Sequence, residues 1–344
     1  MNKVILGSTG EKVSEFCLGA MMMGTAINKN STFQILDHFM GEGGNFIDTA
    51  NCYTWWLGTG EYIGGESESY LGLWMKERRN RKDIFLATKV GAGLKDPDHI
   101  RDVNGIPEWN RVRGEYEGLS RTTIKKEVEN SLRRLKTDYI DLYYAHVHDP
   151  NTPPEETLEA MQELIREGKV RYIGASNLTT EQLAKANGIS LSSGLTPYTV
   201  LQQEYSYLHP KKDADMGITS HGDEEMFEYV KNHQMAFVAY SPLLKGIYTN
   251  REKRNQYYNW NQYNSGENIR KLALIEELAR RLSITGNQLV LAWMLQCRPQ
   301  IIPILGFSRI EQYLEDIKAY TLEIPEEIIQ MLNSADKACL VPAG

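Results

Sequence analysis

The sequence predicts a (β/α)8 barrel, an α/β fold in which eight parallel strands alternate with helices. Eight short β-rich runs are spaced along the chain, with helix-like segments between them. Several of these runs are apolar at nearly every position, which is typical of strands buried on both faces. A doubly wound sheet is the weaker alternative, because no GxGxxG turn follows the first strand.

The predicted strands follow one another in chain order. They are residues 16–21, 45–48, 84–89, 139–146, 172–176, 199–204, 236–241 and 301–305. Apolar residues recur at helical spacing between several of them, and they predict helices over 122–135, 269–282 and 287–296, and one that starts at Pro153-Pro154 and stops at Gly168. We therefore expect residues 1–344 to form a single barrel domain.

The first fifteen residues predict a β-hairpin, because two β-rich strings flank the turn-rich residues 7–10. We expect it to close the lower end of the barrel. Three long, aromatic-rich stretches, 51–66, 90–121 and 243–267, each follow a strand and should rise from the carboxyl-terminal face. Their aromatic side chains either form pocket walls and lids or pack the loops onto the barrel.

Composition narrows the class of function. Lys and Arg number 38 against 45 Asp and Glu, and no basic stripe stands out, so a nucleic-acid partner is a poor expectation. No apolar run reaches the roughly 18 residues of a membrane span. The cysteines, at positions 17, 52, 297 and 339, lack CxxC or metal-ligand spacing, and they fit a reduced, cytoplasmic setting.

Ionisable side chains lie at or just beyond the ends of three predicted strands. Asp48, with Tyr53 five residues later, follows the second strand, Lys89 ends the third and His146 ends the fourth. Active sites of barrels form at this end of the strands. A lysine cation beside a tyrosine should lower the pKa of the phenol, and a histidine can donate a hydrogen bond to a carbonyl oxygen. Such a site suits carbonyl reduction by a nicotinamide cofactor.

Each of these residues also has a simpler interpretation. Lys89 either pairs with Asp48 for structural reasons or forms a Schiff base, as in an aldolase. His146 could be a core histidine, and His148 would point the same way if the strand continued. Cys52, beside Tyr53, is either a passive small residue or an oxidisable thiol near the site.

Four strings surround these residues in order: DTANCY at 48–53, GESE at 65–68 followed by LG at 71–72, TK at 88–89, and DLYYAH at 141–146. Together they resemble the aldo-keto reductase superfamily over nearly the whole chain. The resemblance implies a TIM-barrel reductase that uses NADPH or NADH and no metal. It also implies a tetrad with Tyr53 as general acid, supported by Asp48, Lys89 and His146.

The resemblance implies further residues that bind the cofactor, with NADP(H) favoured and NAD(H) the alternative. Ser176 and Asn177 in a GASN string, and Gln202 in QQEY, would hold the nicotinamide carboxamide, and Tyr240 in YSPL would stack on the ring. The other implied positions lie at or after strand ends: Ala20, Met21, Asp48, Ser241, Pro242, Leu243, Lys245, Gly246, Gly306, Ser308, Arg309, Gln312 and Asp316.

The sequence departs from the family pattern at three places. Ser308 stands where many members have an arginine, with Arg309 next to it, and Asp316 stands where the family has an asparagine near the adenine. The loop after Tyr53 is longer than usual.

The expected substrate is a small-molecule carbonyl or alcohol that contacts Tyr53, His146, Trp55 and Trp56. Tryptophan faces suit a ring-bearing or sugar-like compound. The alternative function is a cofactor-binding regulatory barrel that resembles potassium-channel β-subunits. Such barrels occur both as monomers and as homo-oligomers.

Overall fold

The computed structural model describes residues 1–112 and 114–335. An antiparallel hairpin, β1 (Lys3–Ile5) and β2 (Lys12–Ser14), precedes eight parallel strands that close into a barrel in the order β10-β3-β4-β5-β6-β7-β8-β9. The barrel strands are β3 (Cys17–Gly19), β4 (Phe46–Asp48), β5 (Phe85–Val90), β6 (Ile140–Ala145), β7 (Val170–Ser176), β8 (Val200–Glu204), β9 (Ala236–Tyr240) and β10 (Ile301–Leu305). The predicted (β/α)8 fold is confirmed.

Helices connect successive strands and pack around the barrel. They are α1 (Lys29–Gly41), α2 (Glu66–Arg78), α3 (Trp109–Val112), α4 (Arg121–Leu135), α5 (Pro154–Arg166), α6 (Thr180–Ser192), α7 (Glu224–Asn232), α8 (Glu252–Gln256), α9 (Trp260–Tyr263), α10 (Gly266–Leu282), α11 (Gly286–Gln296), α12 (Ile310–Asp316) and α13 (Glu326–Ala335). The short helices α3, α8 and α9 lie in two of the long aromatic stretches, where sequence periodicity is too brief to predict them.

The hairpin lies against the amino-terminal end of the barrel. Leu6 and Val13 are fully buried in one apolar cluster with Phe46 and Phe85, which come from neighbouring barrel strands. Gly7 lies so close to the start of β9 that a Cβ added there would be 2.5 Å from the backbone nitrogen of Ala236. The expected closure of the lower end is therefore observed, and ligands have the carboxyl-terminal face open to them.

Two of the cysteines fit the sequence expectation. Cys17 and Cys52 are free and buried. Cys297 is buried as well. Cys339 lies outside the described residues. None of the described helices is long and apolar enough to cross a membrane.

Candidate active site

The predicted tetrad comes together at the carboxyl-terminal ends of β4, β5 and β6. Lys89 on β5 is fully buried, and its Nζ donates to the Tyr53 hydroxyl (2.6 Å), to the Thr49 carbonyl oxygen (2.8 Å) and to Oδ1 of Asp48. The His146 ring lies edge-on to the Tyr53 ring, with 5.9 Å between centroids. Residues far apart in sequence thus form one contact network.

The ammonium group of Lys89 has three N–H bonds, and its three acceptors account for all of them. A Schiff base needs a deprotonated amine with a free lone pair. Here all three contacts of the nitrogen are made within the site, one of them an ion pair with buried Asp48. The arrangement therefore disfavours an aldolase-type role and makes Lys89 the hydrogen-bond donor to the phenol.

The pKa of Tyr53 differs from the sequence expectation. Burial raises this pKa well above its ordinary value of 10.0, and the negative charge of Asp48 raises it further. The expected lowering by Lys89 is thus wrong for this state, because desolvation of the phenolate outweighs the attraction of one cation that Asp48 already neutralises. Tyr53 therefore keeps its proton at neutral pH, as a proton donor must.

His146 also lies in an environment that favours its neutral form. Burial lowers the pKa of this imidazole well below 6.5, and the positive charge of Lys89 lowers it further. β6 ends at Ala145, before the histidines, and His148 is exposed whereas His146 is half-buried beside Tyr53. His146 is thus the histidine of the site, as a neutral hydrogen-bonding group.

Asn177 joins the ends of three strands. Its Nδ2 donates to the His146 carbonyl oxygen (2.9 Å) and to the Ser176 hydroxyl (3.1 Å), and its Oδ1 accepts from the Tyr240 hydroxyl (2.6 Å) and the Ser220 amide (3.3 Å). The residue has a φ of 56°, in the left-handed region that asparagine tolerates. Each hydrogen-bonding position of the amide is occupied, so contact with a carboxamide would require one partner to give way.

Gln202 reaches the tetrad from β8, on the far side of the barrel. Its Nε2 donates to Oδ2 of Asp48 at 2.9 Å, while Oδ1 of the same carboxylate faces Lys89. Both oxygens of Asp48 therefore have partners, and the carboxylate is held in one orientation.

The segment after β9 has an unusual backbone. Ser241, Leu244, Lys245 and Gly246 all have φ between 45° and 87°, a conformation that costs free energy in residues other than glycine. Concave anion sites form where right-handed and left-handed residues alternate, and here Leu243 (φ −107°) directly precedes left-handed Leu244. The resemblance to aldo-keto reductases implies that the backbone of 241–246, which includes Pro242 and Leu243, contacts the pyrophosphate of the cofactor, and this geometry fits that expectation.

Comparison with known proteins gives an independent line of evidence. The sequence model of the Aldo/keto reductase family matches residues 15–337. This chain belongs to the aldo/keto reductase family. An uncharacterized oxidoreductase of Bacillus subtilis, YrpG, is 32% identical over 97% of this chain and 95% of its own length.

Two other relatives extend the comparison. An aryl-alcohol dehydrogenase of Pestalotiopsis microspora is 28% identical, over 96% of this chain and 81% of its own length. The crystal structure of a thermostable aldo-keto reductase, Tm1743, in complex with the inhibitor epalrestat shares the fold with a TM-score of 0.69 and 28% identity, over 97% of this chain and all of that one. The aldo/keto reductase family thus accounts for nearly the whole chain.

Residues from three of the strings that resemble the aldo/keto reductase family, GESE, TK and DLYYAH, hydrogen-bond neighbouring strands and helices to each other. Ser67 donates to the Ala20 carbonyl oxygen (2.7 Å) and lies 2.7 Å from the Thr49 hydroxyl, whereas Glu68 accepts from Thr88 at 2.6 Å. These bonds tie the start of α2 to the ends of β3, β4 and β5. Asp141 lies lower in the barrel wall and accepts from the Leu86 amide at 3.0 Å. Met21, next to Ala20, is half-buried.

The family's adenosine-phosphate segment follows β10. Gly306, Ser308 and Arg309 are exposed, and Oε1 of Gln312 accepts from the Ser308 amide (3.0 Å) and the Arg309 amide (3.2 Å). Gln312 thereby fixes the turn, and the Ser308 hydroxyl and Arg309 guanidinium lie at the surface beside it. The Ser308 hydroxyl itself donates to Gln312 Oε1 at 3.1 Å.

Asp316 is buried at the end of α12, near the segment after β9. Asn287 Nδ2 donates to its Oδ1 at 3.4 Å, and the same Nδ2 would be 3.7 Å from a Cβ added at Gly246. Within the described residues, Oδ1 of Asn287 is buried without a hydrogen-bond partner. An amide and a carboxyl with spare capacity thus lie beside the left-handed segment, where the family's asparagine position predicts the adenine.

The carboxyl of Asp316 is expected to make the stability of the protein depend on pH. Burial raises its pKa from 3.8 to about 7. Between these values the unfolded chain has lost this proton and the folded chain has kept it, so raising the pH favours unfolding. The free energy of unfolding should therefore fall between about pH 4 and about pH 7. In Asp316→Asn, which has no carboxyl at this position, we expect that fall to be smaller by up to about 4 kcal/mol. Urea denaturation across this range measures it; identical pH dependence in both proteins would contradict it.

The long loops after β4 and β5 pack on each other. The Trp55 side chain is only 3% exposed, in an apolar cluster with Ile100 and Val112, and its ring lies 5.4 Å from the 62% exposed Trp109. Trp56 is half-buried and meets Trp55 edge-on at 5.6 Å. Trp55 thus packs the two loops onto each other, and Trp56 has the more accessible ring.

Glu117 is a supporting residue that the sequence does not reveal. Its Oε1 accepts from Asn51 Nδ2 (2.8 Å), the Gly91 amide (2.9 Å) and the Gly93 amide (3.2 Å). The carboxylate therefore joins the two loops that carry Tyr53 and follow Lys89. A glutamate inside a long irregular stretch has no periodicity or motif to mark it.

Proposed function

We propose that this member of the aldo/keto reductase family reduces an aldehyde or ketone to an alcohol with NADP(H), with Tyr53 as the proton donor. The observation that carries the proposal is the 2.6 Å hydrogen bond from Lys89 Nζ to the Tyr53 hydroxyl, within a buried site that keeps the phenol protonated. When bound, a nicotinamide cofactor supplies the hydride that no side chain can provide.

The residues present suit that cofactor. The segment 241–246, which contains the left-handed residues Ser241 and Lys245, fits a pyrophosphate. The Tyr240 ring, directly before this segment, is half-buried. Ser176, Asn177 and Gln202 lie around Asp48 and His146 and would hold the carboxamide. Ser308 and Arg309 would hold a 2′-phosphate, and Gln312 and Asp316 would line the adenosine end.

Each residue of the tetrad then has a distinct role. Tyr53 gives its hydroxyl proton to the substrate oxygen as that oxygen gains negative charge. The ammonium of Lys89 stabilises the phenolate left behind, and Asp48 holds this ammonium in place. His146, as a neutral imidazole, donates a hydrogen bond to the same substrate oxygen and orients the carbonyl.

A fluorescence titration with NADPH and NADH tests the cofactor assignment. We expect NADPH to bind more tightly, and Arg309→Met to weaken NADPH by about 10- to 100-fold while changing NADH little, since a charged hydrogen bond to phosphate is worth about 1.5–3 kcal/mol. Equal effects on both cofactors would contradict the 2′-phosphate contact. Tight binding without reduction of any carbonyl compound would favour the regulatory barrel instead.

The proposed substrate is a ring-bearing or sugar-like carbonyl compound. The support is the half-buried ring of Trp56 on the loop that carries Tyr53, together with a relative named as an aryl-alcohol dehydrogenase. We expect Trp56→Ala to raise KM about tenfold for an aromatic aldehyde, the equivalent of about 1.4 kcal/mol, and to leave a small linear aldehyde unchanged. Trp55→Ala, which removes a buried packing residue, should affect both substrates alike. Equal KM changes for both substrates in Trp56→Ala would refute the idea.

We also propose that the protein works in the cytoplasm. Free, buried thiols at Cys17 and Cys52 support a reducing setting. The protein forms either a monomer or a homo-oligomer, and light scattering of the purified protein distinguishes the two.

A further inference from the structure

Cys52 touches the catalytic histidine from the loop that carries the catalytic tyrosine. Its Sγ lies 3.6 Å from Nδ1 of His146, and the side chain is buried. The two residues are far apart in the chain, so the contact exists only because the loop after β4 folds across the end of β6. Cys52 is adjacent to Tyr53. Residues 52–53 therefore supply the proposed proton donor, Tyr53, and a contact to His146, the second group proposed to face the substrate oxygen.

The rest of the histidine is fixed by its backbone. The His146 amide donates to the Val90 carbonyl oxygen at 2.9 Å, and its own carbonyl oxygen accepts from Asn177 at 2.9 Å. Within residues 1–112 and 114–335, Nδ1 has the Cys52 contact and Nε2 has no hydrogen-bond partner. Nε2 is thus the ring nitrogen left for a ligand.

The chemistry of the two groups decides where the ring proton lies. Burial raises the pKa of the Cys52 thiol well above its ordinary value, so the sulfur keeps its hydrogen. A neutral imidazole has one protonated nitrogen and one that accepts, and a nitrogen lone pair accepts far better than a thiol sulfur does. An S–H donor at Nδ1 therefore leaves the ring proton on Nε2.

We propose that Cys52 is a positioning residue, whose thiol donates to Nδ1 of His146 and selects the tautomer in which Nε2–H is directed at the substrate oxygen. The inference rests on the proposed reductase function. It adds that the second donor to the carbonyl, beside the Tyr53 hydroxyl, depends on a buried side chain outside the tetrad. An oxidisable role for this thiol is disfavoured, because thiolate is the reactive form and burial suppresses it.

The test compares Cys52→Ala and Cys52→Val, which remove the donor, with Cys52→Ser, which keeps one. The ¹⁵N chemical shifts of the His146 ring, assigned with a His146→Gln variant, distinguish protonated from unprotonated nitrogen. We expect Nε2–H in the wild-type protein, a mixture of tautomers in the alanine and valine variants, and a return towards Nε2–H in the serine variant. The kcat should fall about tenfold in the first two, less than the 10²–10⁴-fold that a positioned acid contributes, with cofactor affinity unchanged.

Two outcomes would overturn the inference. One is the same tautomer in the wild-type protein and both donor-free variants, and the other is a kcat in Cys52→Ser as low as in Cys52→Ala. If a variant fails to fold, the other donor-free variant gives the comparison, since alanine leaves a small cavity and valine fills it. The ring shifts need no turnover, so a tautomer change in a protein that reduces nothing would support the positioning role while refuting the reductase.

Discussion

Tyr53→Phe is expected to lower kcat for carbonyl reduction by about 10²–10⁴-fold, because only the proton donor is lost. The phenyl ring keeps the contact in which Lys89 Nζ lies 4.7 Å from the ring centroid, so the shape of the site should persist. Cofactor affinity should stay close to the wild-type value. Steady-state kinetics with the best carbonyl substrate, together with the cofactor titration, measure both quantities.

The matched control for that experiment is Tyr70→Phe, which removes a phenolic hydroxyl on α2, outside the tetrad. It should reduce carbonyl compounds at the wild-type rate. A near-normal kcat in Tyr53→Phe would refute the assignment of the tyrosine, and a loss of cofactor binding in that variant would mean that the hydroxyl is structural.

Lys89→Met is expected to lower the stability of the protein as well as its activity. Removing the ammonium leaves the carboxylate of Asp48 buried with Gln202 as its remaining side-chain donor at normal hydrogen-bond length. An unpaired buried charge of this kind costs about 3–5 kcal/mol. Urea denaturation should show that loss, and turnover should fall at least as far as in Tyr53→Phe, because the phenolate loses its stabilising cation.

The double variant Asp48→Asn/Lys89→Met separates the two effects. It removes both charges, so most of the lost unfolding free energy should return, whereas reduction should stay as weak as in the single variant. If the free energy of unfolding of Lys89→Met lies within about 1 kcal/mol of the wild-type value, the charge of Asp48 is not isolated and the ion pair contributes little to stability.

The sequence predicts the barrel well because its signals are local. A run such as 301–305 is apolar throughout, and the structure has the same strand, Ile301–Leu305, buried on both sides. The clustering of Asp48, Lys89 and His146 is predictable for a related reason: the parallel strands of a barrel all end on the same face, so residues at those ends lie together. Their catalytic roles stay a prediction. Strand boundaries elsewhere differ by one or two residues, as at β3, where the structure has Cys17–Gly19 and the prediction was 16–21.

The features of the site that could not be predicted from the sequence depend on long-range contacts and on burial. The direction of the Tyr53 pKa shift depends on how much water the folded loops exclude, and the sequence near a lysine contains no such information. Trp55 looked the same as Trp56 in the string, yet the loop after β5 covers one ring and leaves the other half-open. The contact between Cys52 and His146 likewise joins two strings that no motif connects.

The hairpin at the floor of the barrel has a practical consequence for handling the protein. Met1 is tied to the Glu42 carbonyl oxygen at 2.9 Å, and the hairpin that follows it seals the end opposite the tetrad. A tag, fluorophore or surface linker attached at the amino terminus would therefore project away from the ligand entrance. Immobilisation through Met1 should leave the mouth facing the solution, and the tethered protein should bind nucleotide as readily as the free one.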